Sequence, residues 1–271
     1  METIKTYPDQ VTKVKGSLTE ILSRYAITKT ALKNWTIQEK ESYVDFIPKK
    51  IDPPLFQEQE AKIVYEDEAC LVAYKPFGQL VHSDGSGENT LEDDVNSYLA
   101  LQNFPYKAKA CHRIDTSTCG LVLFNKIPFL QNFFDKQFRD QTIEKEYYVL
   151  VDGLFPWPKK RVKKPIGKDR HDAKKMIPYS QGKEAETLFE KIKEANGRTL
   201  LKAKIFHGRK HQIRVHAAYL GFPIVNDRLY NPNHKAGVLG LESMHLVFDS
   251  PIQTKKVDIE VDLDPRLADF I

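Results

Sequence analysis

HRIDTSTCGLVLFNK, residues 112–126, sets the tightest limit on how this chain folds. The GLVLF run from Gly120 to Phe124 has the unbroken apolar character of a buried strand. Directly ahead of it stand an imidazole, a guanidinium and a carboxylate, on His112, Arg113 and Asp115. A core strand cannot bury three such groups cheaply, and a surface turn needs none of them. The stretch therefore reads as an interior strand whose mouth opens on a polar site. Asp115 is followed by Thr116, Ser117 and Thr118, whose hydroxyls can fix a loop. A carboxylate so held is both rigid and reachable, as a nucleophile or general base must be. A turn-capping Asp beside a solvated Arg fits the local sequence equally well.

From residue 61 onward strands and helices are interleaved. KIVYEDEACLVAYKP reads as a hairpin around Glu66-Asp67-Glu68, and GLVLFNK (120–126) and KEYYVLVDG (145–153) as strands. Asn196-Gly197 marks a turn between two further strands. TLEDDVNSYLAL and PFLQNFFDKQF carry apolar residues at helical spacing, with Thr90 and Asp93 as a capping box and Pro128 at a first helical position. RKHQIRVHAAYLG reads as a helix closed by Gly221. Hairpins mixed with helices define an α+β domain spanning 61–271. Residues 1–60 differ. Leu18, Ile21, Leu22 and Tyr25, then Leu32 and Trp35, have helical spacing, and Pro53-Pro54 stiffens a polar connector. This predicts a small helical N-terminal region with a linker, or equally an arm packed on the main domain.

Two further clusters carry chemistry. HGRKHQIRVH (207–216) places Arg214 one turn from Lys210 and His211, beside an apolar stripe of Ile213, Ala217 and Leu220. An Arg at the rim of a buried face needs a carboxylate partner, unless the helix face is simply solvated. WPKKRVKKPIGKDRHDAKK (157–175) is densely basic and interrupted by Pro158 and Pro165, so it reads as an exposed basic loop. Such a loop either neutralises phosphates or only solubilises the protein.

Taken in order, these segments resemble one family. HRIDTSTCGLVLFNK is similar to the HRLDxxTSGLLLxAK signature of the RluA-type RNA pseudouridine synthases, and KEYYVLVDG resembles their KxYxAxVxG strand. GRKHQIRVHAAYLGFPIVNDRLY resembles their GRTHQIRVHLAxLGHPIxGDxxY block, and YKPFGQLVHSDG their NKPxGxxVHP segment. The likeness runs from about 61 to 251. Cys119 stands where Ser is usual, and Lys210, in the place of Thr, adds a charge near the site. The resemblance implies a pseudouridine synthase fold, a mixed and mostly antiparallel sheet flanked by helices. It implies detachment of uracil from C1′ of a uridine in folded RNA and its rejoining through C5, with no cofactor and no metal. Asp115 would be the nucleophile, attacking either the ribose or the uracil ring. Tyr147 would stack on the base and assist proton removal, and Arg214 would pair with Asp115. Arg113 would fill the gap left by the flipped base. Further RNA contacts would come from His112, Arg209 and His211, and from Lys159, Lys160, Arg161, Lys163 and Lys164 of the basic loop. The two-helix flavour of GSLTEILSRYAITKTALKNWTI resembles a degenerate S-four-type RNA-binding module.

The remaining composition sets outer bounds. No apolar run approaches the roughly 18 residues of a membrane span. Cys70, Cys111 and Cys119 are odd in number and sit among apolar residues, so they read as reduced thiols of a cytoplasmic protein. The reading is thus a cytoplasmic, monomeric enzyme acting on large-subunit ribosomal RNA, with transfer RNA open. A non-catalytic RNA-binding assembly factor of the same fold is the rival. A hydrolase built on Asp115 and His211 is a further one, and lacks metal-ligand spacing.

Overall fold

In the computed structural model, which describes residues 4–7, 10–50, 52–57 and 61–269, the chain opens with strands. β1 (Ile4–Thr6) and β2 (Thr12–Lys15) are followed by α1 (Leu18–Arg24), β3 (Trp35–Glu39) and β4 (Tyr43–Pro48). The four strands form an antiparallel sheet in the order β1-β2-β4-β3. This corrects the expectation of a small helical N-terminal region. The Leu18–Tyr25 spacing does carry a helix, started by a capping box of Ser17 and Glu20. The Leu32–Trp35 spacing does not. Trp35 opens β3, with its ring edge-on to Tyr106 at 5.4 Å and to Phe129 at 5.0 Å. Two apolar residues three apart fit a helix face, but the β-branched and aromatic residues of WTIQE and YVDFIP pair better as strands.

This sheet is packed onto the rest of the molecule. Phe46 stacks on Phe129 with ring centres 4.4 Å apart, and the Tyr106 hydroxyl donates to the Gln10 carbonyl. Ile4, Val14, Tyr25 and Phe46 belong to the same buried cluster as Leu121, Leu123, Phe134 and Phe248. Of the connector, residues 51 and 58–60 lie outside the described residues.

The main sheet begins with the hairpin of β5 (Lys62–Glu66) and β6 (Cys70–Lys75), closed by an Asp67 carboxylate that accepts from the Ala69 and Cys70 N–H groups. Next come α2 (Leu91–Leu101), capped by Thr90 and Asp93, then β7 (Lys109–Ala110) and β8 (Cys119–Asn125). After a 3-10 turn containing Pro128 follow α3 (Gln131–Arg139), β9 (Glu144–Asp152) and β10 (Lys159–Lys163). β11 (Ile166–Lys168) and β12 (Met176–Pro178) form a separate two-stranded ribbon. β13 (Glu186–Ala195), β14 (Arg198–Ile205), α4 (Gln212–Tyr219), β15 (Leu241–Phe248), β16 (Val257–Glu260) and α5 (Pro265–Ala268) complete the chain. The basic stretch 157–175 is therefore only in part the exposed loop expected from its prolines: 169–175 is loop, while Lys159–Lys163 and Ile166–Lys168 are strands. Val162 and Ile166 are buried in it, and the alternating lysines face outward from an edge strand, a placement that discourages pairing with other chains.

The strand order is β10-β13-β14-β9-β15-β8-β6-β5, with β16 beside β15 and β7 beside β8. Among the described residues β8 and β15 make the sheet's one parallel pairing, through Cys119–Glu242 and Gly120–Ser243. Gly120 is required there. Its φ is +112°, and a Cβ would lie 2.2 Å from the Ser243 carbonyl oxygen. On one side of this junction α2 covers β6 and β8 through Leu91, Val95 and Leu99. On the other, α4 covers β9 and β14 through Ile213 and Ala217.

Candidate active site

The polar mouth of β8 opens between those two helix-covered halves, at a cleft of about 920 Å³. Ile114 anchors the loop by packing against both apolar clusters. The Thr118 N–H donates to the Asp115 carbonyl at 2.9 Å, closing a turn. From below, Lys75 ties the loop down: its wholly buried ammonium donates to the carbonyls of Pro76 (2.8 Å), Gln79 (2.7 Å) and Thr116 (3.0 Å). Burial lowers the Lys75 pKa to about 8, against the pull of Cys119 and Asp115.

Asp115 meets Arg214 across the cleft, Nη1 to Oδ2 at 3.1 Å, from a position 99 residues away in sequence. Arg214 is held in turn by Asp227, Nε to Oδ2 and Nη2 to Oδ1, each at 2.8 Å. Asp227 is fully buried, and its Oδ1 also accepts from the Leu229 and Tyr230 N–H groups. A planar guanidinium gripped on one edge by a carboxylate presents its remaining N–H group in a fixed direction. Asp115 is thereby aimed, and its other carboxylate oxygen has no protein donor among the described residues.

Tyr147 lies on the β9 face that turns toward the cleft. Burial raises its pKa well above that of a free tyrosine, against a hydrogen bond with Ser243 and with a further push from the Asp115 carboxylate. The phenol is therefore protonated near neutral pH. His211, with a left-handed φ of 56°, sits at the N-cap of α4. Its Nδ1 is 2.8 Å from the Tyr230 hydroxyl, and its Nε2 is 3.8 Å from Asp115. The Tyr230 hydroxyl also accepts from the Met176 N–H at 2.8 Å, which ties the His211 ring to the β12 backbone. Burial lowers the His211 pKa to about 4, which keeps the ring neutral.

The cleft thus gathers Asp115, Tyr147, Arg214, Arg113, Arg209 and His211. His112 is not brought to it. Its Nε2 accepts the Leu123 N–H at 3.1 Å and its ring lies 5.3 Å from Phe138, with burial lowering its pKa to about 3. Nor do Lys159, Lys160, Arg161, Lys163 and Lys164 line the cleft. On β10, Lys159 pairs with Glu190, and Arg161 and Lys163 pair with Glu186 of β13. Lys160 sits over the Trp157 ring and Lys164 over Tyr219. Sequence reasoning missed Asp227 and Lys75, although both fall inside the quoted motif blocks, and gave no role to Arg228, which lines the cleft with Lys210.

An aspartate aimed by an arginine beside a buried tyrosine, at the parallel seam of a mixed sheet, is the arrangement that the sequence resemblance implies. The RNA pseudouridylate synthase family model matches residues 69–219, which include Asp115, Tyr147 and Arg214. The "Uncharacterized RNA pseudouridine synthase YlyB" of Bacillus subtilis is 31% identical over 224 residues, covering 80% of this chain and 74% of that protein. The ribosomal large subunit pseudouridine synthase C of Buchnera aphidicola is 34% identical over 221 residues, covering 78% and 69%. The fold matches the human RNA pseudouridylate synthase domain containing 1 at a TM-score of 0.65 and 21% identity, over 80% of this chain and 89% of that one. The chain belongs to the RNA pseudouridylate synthase family. It is an RNA pseudouridine synthase, which sets aside the hydrolase reading. No helix of the described residues is long and apolar enough to cross a membrane.

Proposed function

We propose that this enzyme isomerises specific uridines in large-subunit ribosomal RNA, with Asp115 as the nucleophile. The observation that carries the assignment is the ordered line Asp227–Arg214–Asp115, ending at an open cleft. A uridine inside a stacked helix hides C1′, so the base must swing out into the cleft, and Arg113 at the rim is placed to occupy the gap. Arg214 holds the Asp115 carboxylate in one direction through its 3.1 Å hydrogen bond. Asp115 adds and is released again within the cycle: the C1′–N1 bond breaks, uracil turns, a C1′–C5 bond forms as the C5 proton leaves, and N1 takes up a proton, so substrate and product have the same composition. Because the Tyr147 phenol is held protonated, its contribution is stacking and a hydrogen bond rather than service as a phenolate base.

Large-subunit RNA is favoured over transfer RNA by the relatives named as ribosomal large subunit synthases. We place the catalytic unit at 61–271, buttressed by the N-terminal sheet, and working as a monomer without cofactor or metal. Three free cysteines accord with a cytoplasmic enzyme. The test is tritium release from RNA labelled at uridine C5. Wild type should release tritium from large-subunit ribosomal RNA and not from transfer RNA, and Asp115→Asn should release none while binding RNA within a few-fold of wild type. Release by Asp115→Asn would remove the nucleophile assignment.

A further inference from the structure

Beside the active-site cleft lies a second pocket of about 480 Å³, which shares Ile205, Gly208 and Arg209 with it. Its walls carry Lys145, Lys204, His207, Arg209 and Arg139 against one carboxylate, Glu144, and that carboxylate is taken by Lys204. Two of these groups have polar atoms without a partner among the described residues. Lys145 has no ion pair among the described residues. Its ammonium lies 5.3 Å from the centre of the Phe138 ring, alongside Gly208, where a Cβ would come within 3.9 Å of Nζ. Burial alone lowers its pKa, to about 8. His207 Nδ1 is buried with no hydrogen-bond partner. A half-buried cation and a buried ring nitrogen left unpaired on one pocket wall are costly unless a partner arrives from outside, and with the ring proton on Nδ1 both call for an acceptor. The acceptor they call for is anionic and rich in oxygen.

The pocket's position narrows its chemistry. Lys145 and Tyr147 are two positions apart on β9, so they project to the same face about 7 Å from each other. An anion seated at Lys145 is therefore a neighbour of the base seated at Tyr147. Arg209 contributes to both sites, with its Nε fixed on the Glu184 carbonyl at 2.8 Å.

We propose that this pocket is a phosphate subsite, in which Lys145 Nζ and His207 Nδ1 seat an RNA phosphodiester adjacent to the nucleotide being modified. The inference rests on the RNA-modifying reading above and adds to it the group that holds the strand. Gripping the backbone beside the cleft fixes the register of the strand while leaving base identity unread, as phosphate contacts do.

The test uses the full chain and two readouts that need no turnover. Inorganic phosphate titrated into wild type should move the His207 imidazole nitrogen resonances saturably. Affinity for a large-subunit ribosomal RNA fragment, measured across salt concentration, should weaken roughly 10-fold in Lys145→Met. The slope of log affinity against log salt should fall by about 0.7–0.9, the share of one phosphate. Lys145→Arg, which keeps the charge, should restore most of that slope, and Lys193→Met, on an exposed strand position, should leave it unchanged. A slope in Lys145→Met equal to wild type overturns the proposal. So does an unmoved His207. A moved His207 with an unchanged RNA slope would show a pocket for free anions and overturn it as well. Tritium release by wild type is measured in parallel: release with an unchanged slope defeats the subsite alone, and a lowered slope without release defeats the enzymatic reading alone.

Discussion

Asp227 holds Arg214 by two parallel hydrogen bonds of 2.8 Å, so the arginine reaches Asp115 from a fixed base rather than from a flexible stem. Asp227→Asn keeps an acceptor for the Leu229 and Tyr230 N–H groups but leaves the guanidinium half-paired. Breaking a buried pair in this way costs about 3–5 kcal/mol. Turnover should fall about 100-fold with little change in RNA affinity, because a misaligned reacting group is penalised in the transition state. Single-turnover tritium release on Asp227→Asn, Arg214→Lys and the double variant checks it. The two losses should be far from additive, and additivity would mean that the residues act separately.

Lys75 should behave as a positioning residue. Lys75→Met removes one ammonium from three carbonyls, of which that of Thr116 keeps a second donor, the Gly78 N–H at 2.9 Å. Loss of hydrogen bonds to a buried charge predicts about 3 kcal/mol of lost stability. The rate constant should fall while KM stays near wild type, since Lys75 does not line the cleft. Denaturant melts and steady-state kinetics read the two effects independently, and a KM effect alone would point to RNA contact instead.

Gly120→Ala should be among the most damaging single substitutions in the sheet. Its Cβ would collide with the Ser243 backbone at 2.2–2.8 Å, in a φ region that alanine avoids. Backbone cannot swing aside as a side chain can, so about 4 kcal/mol or more is expected. Urea unfolding of the variant is the measurement, and a loss below 1 kcal/mol would refute the close approach of β8 and β15.

The pH dependence of stability should carry a His112 signature. Burial lowers the folded pKa of His112 to about 3 from an ordinary 6.5, and only the neutral ring can accept the Leu123 N–H. The unfolded chain therefore binds the extra proton first as pH falls. The His112 contribution is complete above pH 6.5 and is lost progressively from there toward pH 3. His112→Gln should be less stable than wild type at pH 7.5, with the gap narrowing by pH 4.5. A gap that does not narrow in urea titrations at the two pH values would exclude His112 as the titrating group.

RNA affinity should depend more on the cleft cations than on the more numerous lysines of β10. Neutralising Arg113, Lys210 and Arg228 removes charge at the cleft rim. Neutralising Lys159, Arg161 and Lys163 mainly unpairs Glu190 and Glu186. The first triple variant should lower the salt slope by about 2 and the second by less than 1. Filter binding across salt concentration ranks them, and the reverse order would move the RNA path onto the β10 edge.

The site was legible because its chemistry is written in contiguous stretches: a polar triplet before an apolar strand, and a basic helix start with Arg214. What the sequence does not display is which carboxylate serves which arginine. Asp227 lies in FPIVNDRLYN, where nothing local distinguishes it from a turn aspartate, and only the fold places it under Arg214. His112 shows the opposite case, since its position beside Arg113 in the motif hides that its ring points back to bond β8. The N-terminal sheet escaped because Leu32 and Trp35 offer only two points from which to infer a period. In 157–175 the buried Val162 and Ile166 were outweighed by the charges around them.

The two-residue parallel stitch between β8 and β15 has a last consequence. Asp115 enters from one side of that stitch and Arg214 from the other, so each half of the polypeptide brings an incomplete reagent. Chemical competence is then a measure of assembly. A chain cut in the turn between α3 and β9 yields two pieces that each lack half of the ion pair, and any tritium they release on mixing is a direct count of halves that have found each other.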